Sequence, residues 1–134
     1  MTSRILIVED DCFMREAVDL ILTQAGFICS SVGTGESALD LLKRSMPDVI
    51  LLDINLPGLS GLTLLQRLRE RRITVPILML TANASPGVVR EVMDRGGNGY
   101  ILKPFEPADL VGRVRAALAP PGGKQQQLRA LRHR

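Results

Sequence analysis

Four short stretches of this chain place polar side chains directly after apolar runs. Ile5-Leu6-Ile7-Val8 leads into Glu9-Asp10-Asp11, and Val49-Ile50-Leu51-Leu52 into Asp53. Ile77-Leu78-Met79-Leu80 leads into Thr81, and Tyr100-Ile101-Leu102 into Lys103-Pro104. A carboxylate where a strand leaves the core can cap a helix, hold a metal or act as a nucleophile. If these strand ends meet, an acidic cluster, a hydroxyl and one lysine share a pocket. Two carboxylates ~4–5 Å apart repel by ~3–4 kcal/mol at an effective dielectric of ~20. One lysine does not offset several such acids. A divalent cation with oxygen ligands does, and carboxylates, waters and a phosphoryl oxygen suit Mg²⁺. No His/Cys cluster supports zinc, because the single histidine is His133, near the C-terminus.

Each residue taken alone also has a simpler role. Asp11 is placed to cap the first helix, and capping is the role assigned to it. Asp10 could cap as well, Asp53 could be a loop residue, Thr81 could bond backbone, and Lys103 could be a solvated lysine. Four strand ends carrying polar groups to one rim is the joint observation that favours a site.

The elements that would position these groups follow from hydrophobic periodicity. Ile5–Val8, Val49–Leu52, Ile77–Leu80 and Tyr100–Leu102 read as strands, the first three apolar throughout, as in a parallel sheet buried on both faces. Phe27–Val32 mixes Cys29, Ser30 and Ser31 with apolar residues and reads as a half-exposed edge strand, second in chain order. Met14, Ala17, Val18, Ile21, Leu22 and Ala25 form one helical stripe, ended by Gly26. Ala38, Leu39, Leu41 and Leu42 mark a second helix; Leu62, Leu64, Leu65 and Leu68 mark a third. Ser85-Pro86 opens a fourth with an N-cap and a first-turn proline, and Val88, Val89, Val92 and Met93 supply its stripe. Pro107 starts a fifth, carried by Leu110, Val111, Val114, Ala117 and Leu118. The alternation βαβαβαβαβα predicts an α/β fold, a parallel sheet with helices on both faces. Such sheets gather chemistry at the carboxyl ends of their strands, where strand order reverses.

The chain has 134 residues, 46% hydrophobic and 23% charged, with a net charge of +3. That balance is globular and the length is that of one domain. The positive sign comes from the end of the chain. Residues 119–134 contain Lys124, Arg129, Arg132 and Arg134 and no acid; without those four, 13 basic residues face 14 acidic ones. The body is therefore not a basic nucleic-acid binder. Pro120-Pro121-Gly122-Gly123 and Gln125-Gln126-Gln127 read as a linker or frayed basic tail. No apolar run reaches the ~18 residues of a membrane span. Met1-Thr2-Ser3-Arg4 enters a strand directly, so no signal peptide is expected. Cys12 and Cys29 are expected to be free thiols, and the cytoplasm is the expected compartment.

The segments ILIVEDD, VILLDINLPGLSG, ILMLTA and GYILKPF, in this order and spacing, resemble the receiver domain of two-component response regulators over about residues 4–118. The resemblance implies a flavodoxin-like, doubly wound, five-stranded sheet of order 2-1-3-4-5 with five helices. It implies that Asp53 is the phosphoacceptor for a sensor histidine kinase or a small acyl phosphate. Glu9 and Asp10 would hold Mg²⁺ with Asp53 and the backbone carbonyl of Asn55. Thr81 would bond the phosphoryl group, Lys103 would pair with one of its oxygens, and Lys103-Pro104 would be a cis peptide. Tyr100 resembles the aromatic that swings inward with Thr81, switching the surface of the fourth helix, fifth strand and fifth helix. A homodimer through that surface is implied, with Arg90, Glu91, Asp94, Arg95, Asp109, Arg113 and Arg115 as its charges. One departure is Gly97-Asn98 ahead of Gly99-Tyr100, whose glycines are expected to loosen the approach to the fifth strand.

Two outputs remain open on the sequence. The chain is the receiver of a larger, DNA-binding transcriptional regulator whose effector lies elsewhere, or a stand-alone receiver acting by protein–protein contact. DNA binding would then need the missing effector domain, since residues 119–134 are too short for a helix-turn-helix. Enzymatic readings fit less well. Glu9-Asp10-Asp11 would repel the phosphate of a flavin, and Asn55 stands where a phosphohydrolase would want its second aspartate.

Overall fold

The computed structural model describes residues 2–119; the expected linker or tail lies almost wholly outside them. Strands β1 (Arg4–Val8), β2 (Ile28–Val32), β3 (Val49–Asp53), β4 (Ile77–Thr81) and β5 (Gly99–Leu102) alternate with helices. The helices are α1 (Cys12–Gln24), α2 (Gly35–Leu42), α3 (Gly61–Glu70), α4 (Pro86–Asp94) and α5 (Pro107–Leu118). The sheet runs β2-β1-β3-β4-β5, every pair parallel. The boundaries differ from the sequence expectation by one residue at several strand ends, most usefully at Asp53 and Thr81. Both are the last residues of their strands, not the first of the following loops.

The period-two alternation of side chains sorts the strands into two cores. Leu6, Val8, Ile50, Leu52, Ile77 and Met79 face Ala38 and Leu42 of α2, three leucines of α3 and Val92 of α4. Ile5, Ile7, Leu51, Leu78, Leu80 and Ile101 face Val18 and Leu22 of α1 and Leu110 and Val114 of α5. Helices thus cover both faces. β3 and β4 are buried at every residue, whereas the edge strand β2 is half-exposed. Beyond β1 the chain crosses first to β2 on one side and then to β3 on the other. The order reverses there, so the carboxyl ends of β1 and β3 border one crevice.

Local chemistry sets the helix starts. Asp11 is the N-cap of α1, its Oδ1 accepting from the N–H groups of Phe13 at 2.9 Å and Met14 at 3.1 Å. Thr34 and Ser60 cap α2 and α3 in the same way. Ser85 stands at the N-cap of α4, but its side chain makes no capping bond; its N–H instead donates to Asn83 Oδ1 at 2.9 Å. The α4 stripe is also thinner than its valines suggest. Only Val92 is fully buried, and Met93 is 51% exposed, because α4 packs over the short outer strand β5.

The glycines before β5 do not loosen that segment. Arg69, in the last turn of α3, ties it down. Its Nε donates to the Gly96 carbonyl at 2.9 Å and its Nη2 to Asn98 Oδ1 at 2.8 Å. Its Nη1 donates to the carbonyls of Ile73 at 2.7 Å and Val75 at 2.9 Å. Asn98 Oδ1 also accepts from the Ile77 N–H, joining the segment to β4. Gly97 is needed for space, since a Cβ there would come within 2.5 Å of Val92 Cγ1. One guanidinium fork therefore satisfies four acceptors from two loops, α3–β4 and α4–β5. Arg69→Ala is expected to destabilise the protein by ~2–3 kcal/mol, because part-buried carbonyls lose their donor. Urea unfolding of the variant checks this, and a loss below about 0.5 kcal/mol would contradict it.

Candidate functional site

The side chains at the strand ends converge as the sheet order requires. Glu9 leaves β1 completely buried, and Asp53, at the end of β3, is 4% exposed. Asp10 is exposed beside them, and one oxygen from each of Glu9, Asp10 and Asp53 lies within 4.8 Å of the others. Lys103, just beyond β5, reaches across β4 to the cluster. Its Nζ donates to Glu9 Oε1 at 2.7 Å and lies 3.4 Å from Asp53 Oδ2. The Lys103–Pro104 peptide bond is cis. Asn55 donates its backbone N–H to Asp53 Oδ1 at 3.0 Å.

Glu9 is bonded through every polar atom it has. Its N–H donates to the Val32 carbonyl at 3.0 Å and its carbonyl accepts from Arg15 Nη1 at 2.8 Å. Oε2 accepts from the Asp11 N–H at 3.2 Å, and Oε1 is held by Lys103. Burial pushes the Glu9 carboxyl up, and the neighbouring Asp53 carboxyl pushes it the same way; Lys103 and the Asp11 N–H pull back without cancelling them. For Lys103, burial alone would lower the ammonium. The bond to Glu9 and the negative charge of Asp53 outweigh it and hold Lys103 above the ordinary lysine range. The two partners of one ion pair thus shift in the same direction for different reasons. The lysine gains two carboxylates, while the glutamate gains one lysine and also faces another acid.

Thr81 and Tyr100 are set apart from this cluster. The Thr81 hydroxyl donates to the Asn83 carbonyl at 2.9 Å and accepts from the Asn83 N–H at 3.0 Å, so it is turned into the β4–α4 loop. The Tyr100 ring is half-buried, packs on the core and carries the Arg113 guanidinium 5.8 Å from its centroid. Among the charges expected on the outer face, Arg95 pairs with Glu91 at 2.9 Å. Arg115 points elsewhere, over the Phe27 ring at the α1–β2 turn.

Two supports of the site show only in the structure: the tight approach of Gly61 to the end of β3 and the reach of Arg15. Gly61 opens α3 against the acidic strand end. A Cβ there would fall on the Asp53 carbonyl oxygen and within 2.8 Å of Ile54 Cα, and the Gly61 N–H donates to the Ile54 carbonyl at 2.9 Å. Its place in the loop was visible, but not the closeness of this approach. Arg15, the second support, reaches back to a carbonyl six residues earlier, which no periodicity signals.

The fold agrees with the comparisons to known proteins. The family model for the response regulator receiver domain matches residues 5–115. The chain belongs to the response regulator receiver family. Receivers are signalling domains, not enzymes of substrate turnover. This receiver is 41% identical over 116 residues to the transcriptional regulatory protein CseB of Streptomyces coelicolor, covering 87% of this chain and 49% of that protein. It is 41% identical over 118 residues to the DNA-binding response regulator MtrA of Mycobacterium tuberculosis, covering 88% of this chain and 51% of that one. The receiver thus spans about half the length of the curated relatives it matches. Among solved structures, a putative response regulator from Chloroflexus aurantiacus aligns with a TM-score of 0.84 and 38% identity, covering 90% of this chain and 100% of that one. The chemotaxis response regulator CheY4 of Vibrio cholerae aligns with a TM-score of 0.84 and 30% identity, covering 88% and 100%. No helix among the described residues is long and apolar enough to cross a membrane.

Proposed function

We propose that this receiver accepts a phosphoryl group on Asp53 from a sensor histidine kinase, and that Mg²⁺ and Lys103 support the transfer. The carrying observation is the bridge of Lys103 Nζ between Glu9 Oε1 at 2.7 Å and Asp53 Oδ2 at 3.4 Å, inside a cluster of three acids. Three carboxylates against one ammonium leave a surplus of negative charge in a mostly buried crevice. The donors are all oxygen, which fits a hard divalent cation and not zinc. Glu9, Asp10 and Asp53, with the Asn55 carbonyl, would hold Mg²⁺. When bound, the ion supplies charge stabilisation to the phosphoryl oxygens.

An Asp53 carboxylate oxygen forms the new O–P bond as the P–N bond of a phosphohistidine breaks. An acyl phosphate donor loses its P–O bond instead. Lys103 is already within reach of Asp53 Oδ2 and stays beside the incoming oxygens. The aspartyl phosphate adds charge and acceptor atoms at the end of β3. Thr81 would exchange its bonds to Asn83 for one to a phosphoryl oxygen. The space it leaves admits Tyr100, which must then part from Arg113. This biases the surface of α4, β5 and α5 between two states. Homodimerisation through that surface belongs to the same proposal.

A transcriptional output is favoured by CseB and MtrA, of which this chain matches about half. A stand-alone receiver is favoured by the full coverage of the CheY4 chain. The extent of the native reading frame decides between them.

Tyr100 offers a direct test, because the chain contains one tyrosine and no tryptophan. Its emission reports that ring alone. Beryllofluoride with Mg²⁺ is expected to change Tyr100 emission in the wild type and not in Asp53→Asn. An unchanged spectrum in protein shown by ¹⁹F NMR to carry beryllofluoride would overturn the switch.

A further inference from the structure

We propose that Arg15 and Gly33 together form a positioning device for the Mg²⁺ ligand Asp10, an inference that rests on the functional reading above. Glu9 and Asp53 are buried and bonded, but the Asp10 carboxylate makes no hydrogen bond or ion pair among the described residues. Its placement therefore depends on its backbone. The peptide unit that ends at the Asp10 nitrogen begins with the Glu9 carbonyl. That carbonyl accepts from Arg15 Nη1 at 2.8 Å. Arg15 sits in the first turns of α1, and its own N–H donates to the Asp11 carbonyl at 2.9 Å. It thus closes a ring through Asp11, Asp10 and Glu9 and fixes the tilt of the peptide from which Asp10 projects.

Gly33 supplies the room for this reach. It follows β2, whose last residue Val32 accepts from the Glu9 N–H at 3.0 Å. A Cβ on Gly33 would come 2.9 Å from Arg15 Nη1 and 3.9 Å from the Glu9 carbonyl oxygen. Only the far end of a flexible side chain stands in the way. A methyl group there costs the fold little but pushes the guanidinium off its acceptor. The glycine is thus required by the arginine's position.

The sign of the effect separates positioning from simple electrostatics. A cation near a metal site repels the metal, so removing Arg15 for its charge alone would tighten Mg²⁺ binding. Loss of positioning weakens it. Outer supports of this kind typically change metal affinity by ~10- to 100-fold.

Mg²⁺ titration by isothermal calorimetry on the wild type, Arg15→Met, Gly33→Ala and the double variant tests the device. Circular dichroism melts in EDTA establish that each variant is folded. Each single variant is expected to bind Mg²⁺ roughly tenfold more weakly. The double variant is expected to bind no more weakly than either single one. Unchanged or tighter binding by Arg15→Met, or wild-type binding by Gly33→Ala, overturns the proposal. If Arg15→Met fails to fold, Gly33→Ala alone decides. A wild-type chain that takes up no Mg²⁺ would overturn the functional reading and this inference together.

Discussion

Asp53→Asn is expected to accept no phosphoryl group, to lose most of its Mg²⁺ response, and yet to be more stable than the wild type in EDTA. The first two effects follow from removing the nucleophile and one carboxylate of a cluster whose ligand oxygens lie within 4.8 Å of each other. The third follows from charge counting. The aspartate gives up repulsion from Glu9 and Asp10 and attraction to Lys103, which leaves one net repulsive pair relieved. At an effective dielectric of ~20 one such pair is worth ~3 kcal/mol, and exposure of Asp10 reduces the gain to ~1 kcal/mol. Asparagine keeps an oxygen for the Asn55 N–H and presents its amide to the neighbouring acids. With Mg²⁺ present the order reverses, because a ligand at a hundred times its dissociation constant adds ~2.7 kcal/mol to the wild type alone. Thermal melts of both proteins in EDTA and in Mg²⁺ read the stability order and the Mg²⁺ response from four curves. A variant less stable than the wild type in EDTA would contradict the electrostatic account, because it would show that no repulsion is stored among the acids.

The second large effect is expected at Gly61→Ala, eight residues from the nucleophile. The added methyl would overlap the Asp53 carbonyl oxygen and crowd Ile54 Cα. Both are backbone atoms of a strand end, so neither can swing aside as a side chain would. Relief requires the start of α3 to move away from β3, which breaks the bond from the Gly61 N–H to the Ile54 carbonyl at 2.9 Å. It also lifts Leu64 and Leu65 from the core. The cost is expected to be ~3 kcal/mol or more. Phosphoryl acceptance should fall with it, since the methyl strikes the carbonyl of Asp53 itself and the loop after Asp53 loses its tie to α3. Denaturant unfolding and phosphoryl incorporation measured on the same preparation check both halves. A variant with wild-type stability would show that α3 does not press on β3.

The parallel sheet was legible because β1, β3 and β4 are apolar runs of strand length separated by helical stripes. Only a sheet covered on both faces accommodates them. The convergence of Glu9, Asp10, Asp53 and Lys103 was legible for a related reason. Strand ends in such a sheet share one rim, so residues far apart in sequence need only follow their strands. What stayed hidden lies in side chains that reach sideways. Arg69 binding four acceptors reversed the expectation drawn from Gly96, Gly97 and Gly99, because local glycine content says nothing of a guanidinium arriving from another helix. Arg15 was hidden for the same reason. The thin burial of α4 was misjudged because Val88, Val89 and Met93 have the right spacing but too little sheet beneath them. Thr81 shows another limit. Sequence places its hydroxyl at the rim, while the structure turns it to Asn83.

The most direct test of the central claim is mass spectrometry of acid-quenched protein after exposure to acetyl phosphate, with Mg²⁺ and with EDTA, followed by peptide mapping. The account predicts one phosphoryl group per chain, on Asp53, formed in Mg²⁺ and not in EDTA. Incorporation that ignores the metal, or that falls on a residue other than Asp53, would contradict it.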